Sequence, residues 1–307
     1  MGNAKKTSRR HFLRNAAAIA VAGAVESGAL PASQVPAASP GKLNGRPCTL
    51  ALVGDYAHNC DAIRVGLDRL FKELELPIDY TTNYYDLSKS LLEPYQLFVC
   101  FRDNYIFPNG RNFPANRSQG AAAASGGGAY AAAEHWITEE QGQAVKDFVT
   151  AGNGLYSFHS SCFISRSSEN YRDVQGGVGL NHPPLRPFKV RVVNKEHPVT
   201  QGIEDFMVAD EQHYTIYDKD PKNILLHSEN LDGLTFEATL RDPKEGGPEA
   251  SGPPRNLGTT SISGWAHEFG SGRVVFTAIG HTIHAMWEPE YLKLQKNAVK
   301  WLLKMPS

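Results

Sequence analysis

Five places in the sequence carry residue types that can bind a metal ion or move a proton. Four of them are Asp55 with His58, His159, the stretch 210–214 and His281, and the first, second and last follow apolar runs directly. The fifth is His182, in the middle of the chain. Three histidines and a carboxylate that converge on one cleft could hold a divalent ion or carry out acid–base chemistry on a polyol.

Each of these residues also has a structural interpretation. His159 could bond a neighbouring loop at a strand end, and His281 could belong to a tight turn. His182 could shape the turn that begins at Pro183, and Asp210–Glu211 could be a solvated acidic pair or the start of a helix. The residues alone leave these alternatives open.

Other catalytic arrangements are excluded by their missing motifs. Ser160 and Ser161 lack the Gly-x-Ser-x-Gly pattern of a nucleophile elbow, and Cys162 lies beyond the tight turn that a nucleophile needs. The sequence contains neither Gly-x-Gly-x-x-Gly nor a phosphate-binding loop. No Cys-x-x-Cys pair supports thiol redox chemistry by the four cysteines, which are Cys48, Cys60, Cys100 and Cys162.

Composition indicates a globular protein with an ordinary core. The 307 residues are 41% hydrophobic and 21% charged, close to average usage. Lys plus Arg number 31 and Asp plus Glu number 32, so the formal charge of −1 gives no footprint for nucleic acid or an anionic membrane. Four cysteines are too few for a disulfide scaffold.

The N-terminus predicts export through the twin-arginine route. Arg9 and Arg10 precede Phe12, and a mildly apolar run of residues 16–25 follows, too short to span a membrane. We expect residues 1–38 to be a signal peptide and linker, with cleavage between Ala32 and Ala38. The mature protein would then be periplasmic or secreted, with no membrane span, where oxidising conditions permit disulfides.

Alternating strands and helices must position the candidate residues. Short apolar runs predict buried strands, residues 61–76 predict an amphipathic helix, and Thr138 with Gln141 forms a capping box before another helix. A last helix begins near Pro289. This alternation of strands and helices predicts an α/β doubly wound, mainly parallel sheet with helices on both faces. Ligands bind such a sheet at the carboxyl ends of its strands. The expected strands are 48–53, 78–81, 96–101, 154–158, 188–193, 224–228, 259–265 and 273–279.

One domain, residues 39–307, accounts for the rest of the chain. Residues 104–135 interrupt the pattern with the Ala/Gly-rich stretch 121–133, which we predict to be a mobile surface insertion near the site mouth.

At these residues the chain resembles the trehalose-utilisation (ThuA-like) family. The likeness covers about residues 48–304, and it depends on the order and spacing of several stretches together. These stretches are Gly152–His159, Tyr171–Pro183 with Gly176-Gly177, His197–Ile203, Asp210-Glu211 with Tyr214, and Gly270–His281 with Asn297 and Trp301.

The resemblance implies a flavodoxin-like fold, similar to that of class I glutamine amidotransferases, and a role in sugar metabolism. His159 stands where those amidotransferases have a catalytic cysteine, so their activity is not expected here. The implied substrate is a disaccharide or its 3-keto derivative, made by a partner sugar oxidoreductase.

The leading hypothesis is an enzyme centred on Glu211, His159 and His281. Glu211 would be a general base or a metal ligand, while the two histidines bind a divalent ion or polarise a sugar carbonyl. His182 is a possible further ligand. Asp55, His58, Asp210 and Tyr214 are the candidate substrate-binding residues.

The alternative is a non-catalytic sugar-binding or accessory protein whose aromatic side chains stack on sugar faces. A carboxylate and two histidines within about 4 Å of one point favour the enzyme, whereas an open groove of aromatics favours binding. The candidate aromatics are Tyr56, Trp136, Tyr214, Trp265 and Trp287.

Overall fold

Seventeen strands and six α-helices make up the described part of the computed structural model, which covers residues 42–43, 45–108 and 133–306. The predicted signal peptide and most of the predicted insertion lie outside these residues. The strands are β1 (Lys42–Leu43), β2 (Arg46–Pro47), β3 (Thr49–Val53), β4 (Ile78–Thr81), β5 (Leu97–Phe101), β6 (Tyr105–Ile106), β7 (Glu134–His135), β8 (Gly154–Phe158), β9 (Gly177–Asn181), β10 (Arg186–Val192), β11 (Phe206–Asp210), β12 (Tyr214–Tyr217), β13 (Ile224–Glu229), β14 (Glu237–Leu240), β15 (Ser251–Asn256), β16 (Thr260–Phe269) and β17 (Gly272–Thr277). The helices are α1 (Cys60–Glu73), α2 (Lys89–Leu92), α3 (Glu139–Thr150), α4 (Glu169–Gln175), α5 (Ile283–Met286) and α6 (Pro289–Leu302), with 3-10 helices at Tyr84–Asp86, His159–Arg166, Pro221–Asn223 and Pro243–Glu245.

Nine of the strands form one sheet in the order β11-β10-β13-β16-β17-β8-β5-β3-β4. The five from β17 to β4 are parallel, and their chain order across the sheet is the 2-1-3-4-5 order of flavodoxin-like folds. The predicted α/β doubly wound fold is therefore confirmed. The other four strands add an antiparallel extension beyond β17.

Helices cover both faces of the parallel half, as the continuous apolar strands require. In β3, Ala51 and Val53 pack with the apolar faces of α1 and α6, while Leu50 and Leu52 pack with α3 on the opposite face. Asn59 caps α1, and the predicted Thr138–Gln141 capping box begins α3. The strands are thus held rigidly, and their carboxyl ends have fixed positions.

Several strands lie where the sequence predicts none, among them β9, β11, β12, β14 and β15. The ends of the predicted insertion pair as β6 and β7, and residues 109–132 lie outside the described part of the chain. Cys100 and Cys162 are buried thiols, and Cys48 and Cys60 are half-buried. Within the described residues, no helix has the length and apolar character needed to cross a bilayer.

The guanidinium of Arg172, in α4, links that helix to the two loops that carry Asp218 and Asp242. Arg172 donates to Asp218 at 2.6 and 2.9 Å and to Asp242 at 2.5 and 2.9 Å. This bidentate bonding lowers the pKa of Asp242 to about 2. The pairing stabilises the fold above the ordinary pKa of Asp, and that contribution is lost as the pH falls towards 2.

We expect Arg172→Met to lower the free energy of unfolding at pH 7 by about 2–3 kcal/mol, because it removes the guanidinium that pairs with two mostly buried carboxylates. Urea unfolding of the two forms measures the difference, which should shrink near pH 3. Arg191→Met is the matched control, since Arg191 is half exposed in its pair with Glu229. Equal losses in the two variants would contradict the prediction.

Candidate functional site

His58 is fixed by a carboxylate in the loop after β3. The Asp55 carboxylate accepts from the backbone N–H of Ala57, His58 and Asp103 at 2.7–2.9 Å, and it lies 2.8 Å from His58 Nδ1. Burial alone would raise the pKa of Asp55, but the contact with His58 outweighs it and lowers that pKa. Burial lowers the pKa of His58, but its contact with Asp55 outweighs burial and raises that pKa. The Nδ1–H donates to Asp55, so the buried Nε2 points away from it.

His159 lies directly after β8 on a turn with φ +47°, in the left-handed region that a branched or ring side chain seldom adopts. Its Nδ1–H donates to Ala278 O at 2.8 Å, which leaves a lone pair on Nε2. Burial lowers the pKa of His159 to about 4. The ring is therefore neutral at pH 7, and Nε2 faces Glu211 Oε2 at 3.4 Å.

Glu211 reaches this place because the sheet curls. Three strands separate β11 from β17, so a flat sheet would put them about 19 Å apart. Instead the Asp210 carboxylate accepts from Gly280 N and His281 N at 3.0–3.2 Å, and from Glu211 N at 2.7 Å. Glu211 Oε2 then lies 3.1 Å from His281 Nδ1.

Two further histidines complete the group. His182 Nδ1 lies 3.5 Å from Glu211 Oε2 and 3.1 Å from Pro183 O. His213, on the loop after β11, is fully buried, and its ring stands 4.2 Å from that of His159 and 4.6 Å from that of His182. We call this group the histidine cluster; its members are His58, His159, His182, His213, His281 and Glu211.

Burial and the Glu211 carboxylate set the charge state of the histidine cluster. Burial lowers the pKa of His159, His182 and His213, so these rings are neutral at pH 7. Three imidazole nitrogens, from His159, His182 and His281, face the Glu211 carboxylate at 3.1–3.5 Å, and a cation held among these groups would be stabilised by them. His contacts outweigh burial and keep the pKa of Glu211 well below its usual range.

Donor atoms converge closely enough to hold metal. Among the described residues, one atom each from His58, His159, Glu211 and His281 lie within 4.8 Å of one another, and so do atoms from His182, Glu211 and His213. Zinc bonds of about 2.0–2.2 Å to imidazole nitrogen and carboxylate oxygen fit such spacings. All four residues predicted as catalytic or metal ligands belong to this cluster.

The remaining candidates have other positions. Asp55 lies outside the cluster and orients its member His58 through a hydrogen bond. Asp210 accepts from the backbone N–H of Gly280, next to His281. Tyr214 lies outside it: the ring is buried against Phe236, and the hydroxyl donates to Gly258 O.

Sequence reasoning missed His213 and the pair Arg102–Asp103. Arg102 and Asp103 directly follow β5, so the rule that selected Asp55 and His159 could have found them. His213 lies in the stretch 210–214, yet the sequence carries no signal for the curl that buries it.

A cavity of about 580 Å³ is lined by Asp55 and Tyr56, in the loop that also carries His58, and its described lining residues include no member of the histidine cluster. Tyr56 on its wall is 45% exposed and contacts Phe107 edge to face at 4.7 Å. Other lining residues are Gly54, Thr82, Tyr84, Arg102 and Tyr105. Aromatic rings beside a polar centre are typical of small-molecule sites.

Comparisons with known proteins agree with the predicted family. A family model described as ThuA, trehalose utilisation, matches residues 61–302. A protein from Bacteroides uniformis ATCC 8492 described as ThuA-like has a TM-score of 0.53 and 19% identity, covering 86% of this chain and 95% of that chain. One from Parabacteroides merdae ATCC 43184, also described as ThuA-like, has a TM-score of 0.53 and 16% identity, covering 83% and 89%.

A β-galactosidase from Rahnella sp. R3 is similar at a TM-score of 0.50 and 11% identity, covering 85% of this chain but 32% of that chain. At such identities these structures share the fold alone. No curated protein sequence matches the chain.

We expect His159 in the metal-free protein to remain neutral, with its proton on Nδ1, throughout about pH 5–8. Burial lowers its pKa to about 4, so the ring gains a charge only below that pH. Long-range 1H–15N spectra report both tautomer and charge, and a His159→Gln variant assigns the signal. A His159 signal that titrates near 6.5 would contradict this expectation.

Proposed function

We propose that this chain, which belongs to the trehalose-utilisation (ThuA) family, is an exported metal-dependent enzyme acting on a disaccharide or keto-sugar derivative. The family description fits carbohydrate metabolism in general. The observation that carries the enzyme proposal is the convergence of three imidazole nitrogens on one carboxylate oxygen, at 3.1–3.5 Å from Glu211 Oε2.

A divalent ion would resolve the electrostatics of this arrangement. His58 Nε2, His159 Nε2, His281 Nδ1 and the Glu211 carboxylate would hold it, a mixed nitrogen and oxygen donor set that suits zinc and similar ions. Asp55 on His58, and the Ala278 carbonyl on His159, orient these rings as outer partners orient metal-bound histidines.

The ion would supply Lewis acidity to a sugar carbonyl or hydroxyl. In a keto-sugar the carbonyl makes the adjacent C–H bonds acidic, so a polarised carbonyl beside a base supports isomerisation or elimination. With no metal bound, Glu211 would be only a weak base for such a reaction, because its neighbouring histidines lower its pKa. A sugar oxidoreductase is the class of enzyme that would supply the keto-sugar.

Substrate access is open on one side. His182 and His281 expose 29% and 27% of their side chains, while His58 and His159 are buried beneath them. The cavity beside Asp55 offers Tyr56 as a surface on which a sugar ring can stack.

The alternative of a non-catalytic sugar-binding protein has less support. Of its proposed stacking residues, Trp136, Tyr214 and Trp265 are buried, and Trp287 donates to Gly66 O in a partly buried position. Tyr56 alone among the five is exposed. The five aromatic residues therefore do not form an open groove, and the convergence of histidines on Glu211 is the better support for a function.

Export rests on the sequence. Arg9-Arg10 with the short apolar run fits the twin-arginine pattern, and that route carries folded passengers. A protein that acquires its metal before crossing the membrane would suit such a route.

We expect the mature protein, purified without chelator, to contain divalent metal and to convert 3-keto-disaccharides. His159→Ala and Glu211→Gln should lose metal and lower kcat/KM by about 100-fold or more, because each removes a ligand. His284→Ala, an exposed histidine, is the control and should keep both. Elemental analysis and turnover of a keto-sugar panel are the measurements.

Two results would count against this proposal. Folded His159→Ala and Glu211→Gln variants that match the wild type in turnover would remove the cluster from the reaction. Metal-loaded protein with no turnover of any sugar, but tight binding of one, would favour the accessory protein.

We expect Arg9→Lys combined with Arg10→Lys to leave the precursor in the cytoplasm, since the arginine pair addresses the chain. Arg14→Lys is the control and should permit export. Cell fractionation and the N-terminal mass of the exported form, expected to begin between residues 33 and 39, measure the outcome. Export of the double variant at wild-type yield would refute the route.

A further inference from the structure

His213 has a burial that no partner in the structure accounts for. The residue is 1% exposed, and neither Nδ1 nor Nε2 has a hydrogen-bond partner. The rings around it are His159, His182 and Phe163. A buried imidazole without partners is costly, so this position is stabilised when a bound ligand or an ordered water satisfies it.

The donors of the histidine cluster divide into two sets that share one carboxylate. The first set is His58, His159, His281 and Glu211, which suffices for one ion. The second set is His182, His213 and Glu211, which leaves positions open for water or substrate. A carboxylate has two oxygens and can bind one ion with each of them.

We infer that the histidine cluster holds two divalent cations bridged by Glu211, the second bound by His182 and His213. This rests on the proposed function, which needs only the first ion. Paired ions of this kind lie about 3.5–4 Å apart and clamp two oxygens of one substrate. The pair would suit a ligand with adjacent oxygens, such as a sugar carbonyl beside a hydroxyl.

The test counts metal in the full mature chain loaded with Mn²⁺ or Zn²⁺ and freed of excess ion. We expect about two ions per wild-type chain and about one in His213→Ala and in His213→Gln. His58→Ala should lose the other ion, Glu211→Gln should lose both or nearly both, and His284→Ala should keep two. Circular dichroism and thermal melting establish that each variant is folded.

Electron paramagnetic resonance of the Mn²⁺ wild type needs no variant. Two bridged ions give an exchange-coupled spectrum, and His213→Gln should replace it with that of an isolated ion. One ion per wild-type chain, with an uncoupled spectrum, would overturn the second site and leave the proposed enzyme standing. No bound ion at all would remove both, and two ions in both His213 variants would overturn the assignment to His213.

Discussion

The buried Asp210 carboxylate is the contact on which the candidate site depends. It receives the backbone N–H groups of Gly280 and His281 from the loop after β17, and that of Glu211 from its own strand end. Through it, the antiparallel extension of the sheet closes onto the parallel half. Burial raises its pKa to about 7 against the effect of these donors, so geometry rather than a salt bridge makes this junction. In a flat sheet without this contact, β11 and Glu211 would lie about 19 Å from β17, the strand that leads to His281.

The backbone near this junction is strained at His159, and the surrounding apolar core must compensate for the free-energy cost. The left-handed backbone of His159 costs about 1–3 kcal/mol, and the apolar strands packed on both sides hold it in place. Gly280 passes so near that a Cβ there would meet Phe101 at 2.8 Å and His159 Cβ at 3.2 Å. Such close, strained positions typically occur where a side chain must be presented at a fixed angle.

Local patterns in the sequence were sufficient for the parallel half of the fold and for most of the site. Apolar runs predict β3, β5 and β8, and the strand-end rule selects His58, His159 and His281, because parallel strands bring their carboxyl ends together. The sequence offers Glu211 as a candidate but does not explain why it lies near the histidines, because the curl of the sheet depends on contacts between residues distant in sequence. His213 was missed for the same cause, and Tyr214 was misjudged because its exposure depends on Phe236.

The position of His159 also bears on what kind of chemistry this fold supports. A sharp turn between a strand and the following helix presents a nucleophile in many α/β enzymes, because it lifts one side chain clear of the backbone. Here the same turn presents an imidazole whose Nδ1 is occupied by Ala278 O and whose Nε2 faces a carboxylate. Such a nitrogen, neutral and fixed, is suited to donate to a cation rather than to attack a substrate. Under the proposed function, this position would carry a cation ligand where a covalent enzyme of similar fold carries its nucleophile.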